Sequence, residues 1–172
     1  MTNSFNPKTV TISDITWMAE NLSYNDEKGG IILNKKNNEH YYTLKAAKRI
    51  ADKFGWEIPT ADDWNKACLS CDDVVNDTPP VHENEPNYFE FKCNLDEKLR
   101  IKKHLGYYKY DLGSLSYQGY PDYPCTYYVT SSLGRFCTIC RTIDDNGYVS
   151  GSHCRDNANF HSYLSVRLIK RK

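Results

Sequence analysis

The chain has 172 residues, 40% of them apolar and 26% charged, with 22 Lys and Arg balanced by 22 Asp and Glu. This composition suits one globular domain with a substantial core and excludes a disordered chain. A formal charge of zero argues against a generic phosphate-backbone binder, and no apolar run approaches bilayer length, so neither nucleic acid nor a membrane is an expected partner.

Residues 8–12, KTVTI, alternate and predict a first strand with Val10 and Ile12 on one face. Trp17, Met18 and Leu22 are the apolar positions of the next segment. Residues 23–30 read as a polar loop and residues 31–33 as a short strand. Thr43 opens the clearest helix: Leu44, Ala47, Ile50, Ala51 and Phe54 share one stripe, while Lys45, Lys48, Arg49 and Asp52 face away. Thr43 is placed to cap the first turn, and Gly55 to close the last one in the left-handed conformation.

Pro59 holds residues 56–58 extended, and Thr60 with Asp63 has the spacing of a capping box. Trp64, Ala67, Cys68 and Cys71 then form a second apolar stripe, with Trp56 and Trp64 expected to turn inward. Residues 72–87 read as an acidic loop carrying Pro79, Pro80 and Pro86. Residues 95–105 are weakly periodic, and a short helix and an irregular excursion both fit. Beyond Gly106 the composition shifts to that of strands and tight turns. Residues 125–132, 135–143, 147–154 and 163–169 read as strands, with Asp145-Asn146-Gly147 as a hairpin signal. Helices come early and strands dominate late, which predicts a single α+β domain over residues 1–172.

The first ten residues, MTNSFNPKTV, have no charged n-region, apolar h-region or cleavage site, so synthesis in the cytoplasm without a signal peptide is expected. The seven cysteines are then small apolar packing groups. Lys170, Arg171 and Lys172 read as a solvated basic tail.

Three stretches carry a resemblance. They are Thr16-Trp17-Met18-Ala19-Glu20-Asn21-Leu22, then Tyr41-Tyr42-Thr43 with its Ala-rich helix, and Gly55-Trp56-Glu57-Ile58-Pro59-Thr60 followed by Trp64; Leu164-Ser165-Val166-Arg167 closes the pattern. Together they resemble the Fibrobacter succinogenes major paralogous domain family over most of the chain. The resemblance implies a C-type-lectin-like fold, with two helices packed on a twisted antiparallel sheet and long loops on a ligand face. That fold also hosts formylglycine-generating enzymes and phage receptor-binding proteins, so it implies a scaffold and no particular chemistry. Members of the family are usually exported, and a copy without an export signal suits a phage virion protein released by lysis.

Glu85-Pro86-Asn87 matches the triplet that supplies calcium ligands in lectins similar to this fold. Calcium needs about six to eight oxygens. The partner run of those lectins is missing, and Asp144-Asp145-Asn146 is the nearest oxygen cluster, so a proline-containing acidic loop is the simpler account. Cys68 and Cys71 with Cys137 and Cys140 raise a four-thiolate zinc site. Residues three apart on a strand diverge, however, and Cys68 and Cys71 share the stripe of Trp64, so packing thiols are expected. A formylglycine-generating-type enzyme would draw on Cys137, Cys140 and Cys154, for which no pattern indicates a depressed thiol pKa.

Eight of the 14 tyrosines fall between Tyr107 and Tyr128, several among Gly, Ser, Asp and Pro. Tyr in such loops offers contact area at low entropy cost together with a hydroxyl. The expectation is a non-enzymatic binding or assembly module whose contact face comprises Asp111, Tyr117, Tyr120, Asp122 and Tyr123, with Asp156, Asn157, Asn159 and His161. No catalytic residue, metal or cofactor is assigned. The expected partner is another protein (a virion or fibre component) or a surface glycan, with an oligomer left open. The alternative is a cytosolic cysteine-dependent enzyme on the formylglycine-generating-type fold.

Overall fold

The N-terminal hairpin pairs β1 (Thr9–Ile12) with β2 (Ile15–Met18) in a register that sets Thr9 opposite Met18. Its two turn residues, Ser13 and Asp14, both take positive φ (49° and 62°), the backbone that a tight two-residue hairpin requires. A computed structural model of the chain describes residues 5–76, 91–101, 105, 107–111, 114–118, 125–133, 138–144, 148–154, 156–157 and 160–172. After the hairpin come β3 (Ile31–Asn34) and β4 (Glu39–Tyr42), then α1 (Leu44–Phe54) and α2 (Ala61–Leu69). Next are β5 (Val75–Asn76), β6 (Phe91–Lys92), α3 (Leu95–Lys98), β7 (Tyr107–Asp111) and β8 (Ser114–Gln118). The remainder is β9 (Cys125–Leu133), β10 (Thr138–Asp144), β11 (Tyr148–Cys154), β12 (Asp156–Asn157), β13 (Phe160–Tyr163) and β14 (Ile169–Lys170). The molecule is a mixed α+β protein built on several small antiparallel sheets.

Both main helices start and stop where their cap chemistry dictates. Thr43 accepts from the Ala46 N–H at 3.2 Å, and Gly55 ends α1 at φ 64°, its successor Trp56 bonding back to Ala51 O. Thr60 and Asp63 form a reciprocal capping box on α2. The loop of residues 23–30 is pinned to α1 by Arg49, which forms a two-pronged ion pair with Asp26 at 2.6 and 2.9 Å. Gly30 also has to be glycine: at φ 76°, an added Cβ would lie 2.7 Å from Thr43 Oγ1.

Two apolar clusters lie on either side of the strands. One gathers Trp17, Trp64, Cys68, Leu95, Leu99, Tyr128, Ile143 and Val149 under α2 and α3. The other gathers Met18, Leu22, Tyr42, Ala47, Ile50, Trp56, Val129, Leu164, Val166 and Leu168 under α1. Adjacent residues of β2 (Trp17, Met18) and β9 (Tyr128, Val129) divide between the clusters, as the period of two along a strand requires. The ring centroids of Trp17 and Trp64 lie 4.9 Å apart at 65°, an edge-to-face pair.

The C-terminal segment holds these parts together. All six residues from Leu164 to Ile169 are buried. Their backbones bond to four separate stretches: Met18 and Leu22, Tyr42, Glu57, and Tyr127 with Val129. Beyond it, Lys170 sits 4.8 Å over the Trp56 ring, and Arg171 bonds to Glu57 and, at 2.7 Å, to Asp63. The tail expected to be solvated is therefore exposed but tied back to the link between α1 and α2.

Other expectations also change. Four strands precede α1: β1 and β3 fall on the segments expected to be extended, and β2 and β4 add to them. β4 is missed by periodicity because Glu39, Tyr41 and Tyr42 are all buried, which erases the alternation. Asp111 and residues 114–118, in a stretch read as loop, belong to the paired strands β7 and β8. Of the 163–169 strand, only the ends belong to regular strands, and isolated bridges join Leu164 to Tyr42 and Ser165 to Tyr128. Among the described residues of the 95–105 stretch, Leu95–Lys98 form a four-residue helix, with Leu95 and Leu99 buried. The Asp145-Asn146-Gly147 signal and Glu85-Pro86-Asn87 lie outside the described residues.

Candidate contact surface

The four-stranded sheet has the order β12-β13-β7-β8, all neighbours antiparallel. Two of its rows define one side. Tyr163, Tyr108 and Tyr117 lie opposite one another across three strands; in the row two residues along, Tyr110 lies opposite Leu115. Residues two apart share a face, so four tyrosines and one leucine occupy a single side. Tyr108 and Tyr117 touch, with ring centroids 5.1 Å apart. Tyr108 in turn packs at 5.3 Å on Tyr41, which is wholly buried, so the patch is rooted in the core.

Exposure rises outward from that root. Tyr108, Tyr110 and Tyr163 are half-buried, whereas Tyr117 is 44% and Leu115 49% exposed. The Tyr117 hydroxyl donates to Leu105 O at 3.1 Å. Burial, then its neighbour Tyr108, raises the Tyr117 pKa above the usual phenol value, and burial, then Tyr110, does the same for Tyr163. The rings therefore stay neutral throughout the physiological range, offering apolar faces and hydroxyl donors.

The sheet also joins the two stretches expected to form the contact face. Asp111 lies in register with Phe160 and Ser114, Phe160 pairs with Asn157, and His161 pairs with both Asp156 and Tyr110. Asp111, Tyr117, Asp156, Asn157 and His161 thus belong to one sheet, although some 40 residues of chain separate the halves. Tyr120, Asp122, Tyr123 and Asn159 lie outside the described residues. Tyr108, Tyr110, Leu115 and Tyr163 were missed as surface candidates. The alternation YYKY was the available signal, since it sends Tyr108 and Tyr110 to the same side.

Cys68 and Cys71 are buried in the cluster of Trp64, as expected of packing thiols. Cys93 joins them, and all three are at most 5% exposed. The Cys68 thiol donates to Cys93, as do the Leu95 N–H and Cys71, and these bonds lower the Cys93 pKa against the opposing effect of burial; burial raises that of Cys71. Cys140 faces Val129 and Ser152 in the ladder, Cys154 faces Thr138, and Cys137 lies outside the described residues. Among the described residues, no group of three or more His, Cys, Asp or Glu side chains is placed to hold a metal ion.

The motif residues converge in the interior. Asn21 Oδ1 accepts from Arg167 Nε at 2.8 Å and from the Tyr128 hydroxyl at 3.2 Å, while Asn21 Nδ2 donates to the buried Glu39 at 3.2 Å. Arg167, 1% exposed, also donates to the carbonyls of Met18, Leu99 and Arg100. Its charge is distributed over four acceptors rather than set against one carboxylate. On the outer side of Asn21 lies a cleft of about 350 Å³, lined by Phe5, Pro7, Lys8, Met18, Glu20 and Tyr24. Lys8 and Glu20 pair with each other at 3.0 Å on its rim.

The fold and surface together define a class: an α+β domain with a rigid, doubly packed interior and a tyrosine-bearing sheet at its side. No family model, curated protein or solved structure matches the chain.

Proposed function

We propose that this chain is a non-enzymatic binding or assembly module of C-type-lectin-like fold, related to the Fibrobacter succinogenes major paralogous domain family. Its contact face is the tyrosine side of the β12-β13-β7-β8 sheet, and its partner is a phage capsid or fibre protein or a surface glycan. One observation carries the reading. Tyr117 and Leu115 stand exposed on a sheet whose next tyrosine, Tyr108, is locked to the buried Tyr41. Such a surface is pre-organised, so binding orders little that was free. Neutral rings with hydroxyl edges suit the apolar faces of sugars as well as a protein interface.

The family assignment draws support from the hydrogen bond between Asn21 and Arg167, which ties together motifs from opposite ends of the sequence. Burial of Trp17, Trp56 and Trp64 supports it too, because the tryptophans of the resembling stretches serve the core. The test compares wild type with the double variant Tyr110→Ala/Tyr117→Ala, checked for an unchanged melting profile. Binding to an array of bacterial surface glycans, and co-sedimentation with phage particles, should both be read. Loss of whichever signal the wild type gives supports the face; retention at wild-type strength removes it.

The cysteine-enzyme alternative has one observation in its favour, the lowered pKa of Cys93. Against it, Cys68, Cys71 and Cys93 are at most 5% exposed inside the cluster that holds Trp17 and Trp64, where no substrate reaches them. That reading first drew on Cys137, Cys140 and Cys154, so a fast-reacting thiol mapped in native protein to any of these or to Cys68, Cys71 or Cys93 would revive it.

A further inference from the structure

β8 is the terminal strand of its sheet: β7 pairs with its inner side over all five residues, and among the described residues no strand pairs with its outer side. Ser114, Leu115, Ser116 and Tyr117 are all exposed. The strand, SLSYQ, contains no charge, proline or glycine, so it lacks the devices that usually keep an edge from pairing. Alternation along an antiparallel ladder leaves every second residue of such an edge with its N–H and C=O directed outward.

We infer that β8 pairs antiparallel with β8 of a second copy of this chain, about a two-fold axis at Ser116. The short strand is self-complementary in that register. Leu115 falls opposite Tyr117 of the partner subunit and Tyr117 opposite the partner's Leu115, so the two large exposed apolar residues of the strand cover each other twice. Ser114 falls opposite the partner's Gln118, a polar pair on the other side, and Ser116 faces its own copy. Aliphatic–aromatic cross-strand pairs of this kind are favourable, and no like charges are brought together. The interface is isologous, as a two-fold demands, and it closes at two copies.

The result is a continuous eight-stranded sheet that presents the Tyr108, Tyr110 and Tyr163 surface twice. This goes beyond the contact-face reading, and either can fail while the other stands. A five-residue edge pair falls among the small interfaces, below about 1,200 Å², so the dimer should be weak, with a dissociation constant on the order of micromolar or above.

Sedimentation velocity of the full chain over a concentration series provides the test. The expected mass rises from the 19.9 kDa monomer toward twice that value with concentration. Ser116 is exposed, so Ser116→Lys and Ser116→Glu should each fold with a melting profile near wild type. At low ionic strength each variant alone should stay monomeric, because the axis sets like charges against each other, and an equimolar mixture should restore the dimer. The proposal is overturned by a wild type that remains monomeric throughout, by a mass beyond the dimer, by single variants that associate like the wild type, or by a mixture that does not re-form the dimer. Partner binding by the Ser116 variants, measured separately, reports on the contact face alone.

Discussion

Leu164–Ile169 and β8 are two short extended segments of similar length with opposite fates. The first is buried at every position and bonded through its backbone to four distant stretches of chain. The second is exposed at four of five positions and is paired along one side. Both sequences alternate, LSVRLI and SLSYQ, and both carry serine between apolar residues. Alternation is therefore no guide to exposure here. What separates them is the number of surfaces that each segment meets: the C-terminal segment lies between two apolar clusters, and β8, among the described residues, has a neighbour on one edge.

Breaking the first segment should have the largest effect. Arg167→Met takes this donor from three backbone carbonyls and leaves Asn21 Oδ1 with the Tyr128 hydroxyl alone, and each buried acceptor left unsatisfied costs about 1–3 kcal/mol. A loss of at least about 3 kcal/mol in urea unfolding is expected on that ground. Arg167→Lys should recover little of it, since an ammonium cannot reproduce the fork of the guanidinium. Leu168→Ala comes next, at about 2–5 kcal/mol, because its side chain is wholly buried beneath α1. Losses below about 1 kcal/mol in both variants would mean that the segment does not hold the clusters together.

A pH series sharpens the comparison at an intermediate scale. Arg49 holds the Asp26 carboxyl below its ordinary value, chiefly through their hydrogen bonds. The folded pKa is thus lower than the unfolded one, so this pair's stabilisation is present above the unfolded value, about 4, and is lost as pH falls through the folded value. Asp26→Asn should cost about 1 kcal/mol at pH 7 and flatten the acid limb of the stability curve. An acid limb identical in wild type and variant would separate the loop from the stability of the core.

The smallest stability effect is expected in β8. Leu115→Ser should change the unfolding free energy by no more than about 0.5 kcal/mol, the usual range for exposed positions, and Tyr117→Ser by about 1 kcal/mol, since it also loses the Tyr108 ring and the bond to Leu105 O. The same substitutions should weaken self-association and partner binding. A large loss of stability would mean that the strand belongs to the core after all.

Much of the helical region was legible in the residues themselves. Thr43, Gly55, Thr60 and Asp63 each act on backbone groups within a few positions, so their roles follow from spacing alone. The inward stripe of α2, including Cys68, was legible for the same reason. The meeting of Cys93 with Cys68 and Cys71 was not, because more than 20 residues of chain lie between them and no local period links them. In the contact surface, a concentration of tyrosines was visible, but their sorting was not: Tyr128 is buried, Tyr107 packs on Tyr127 at 4.7 Å, and Tyr117 is exposed. Strand pairing decides that sorting, through partners such as β13 that come from the far end of the chain.

The sequence by itself determined the α+β character, the limits of α1, the start of α2 and the inward turn of Trp56 and Trp64, because caps and stripes act over one or two turns of helix. Only the tertiary structure decided that Ser165 and Arg167 lie inside, that Asn21 meets Arg167, and that the halves of the contact surface share one sheet. Those outcomes depend on contacts between residues as much as 149 positions apart. The physical reason is that a buried polar group is set by the acceptors the whole fold brings to it, and no run of neighbours along the chain carries that information.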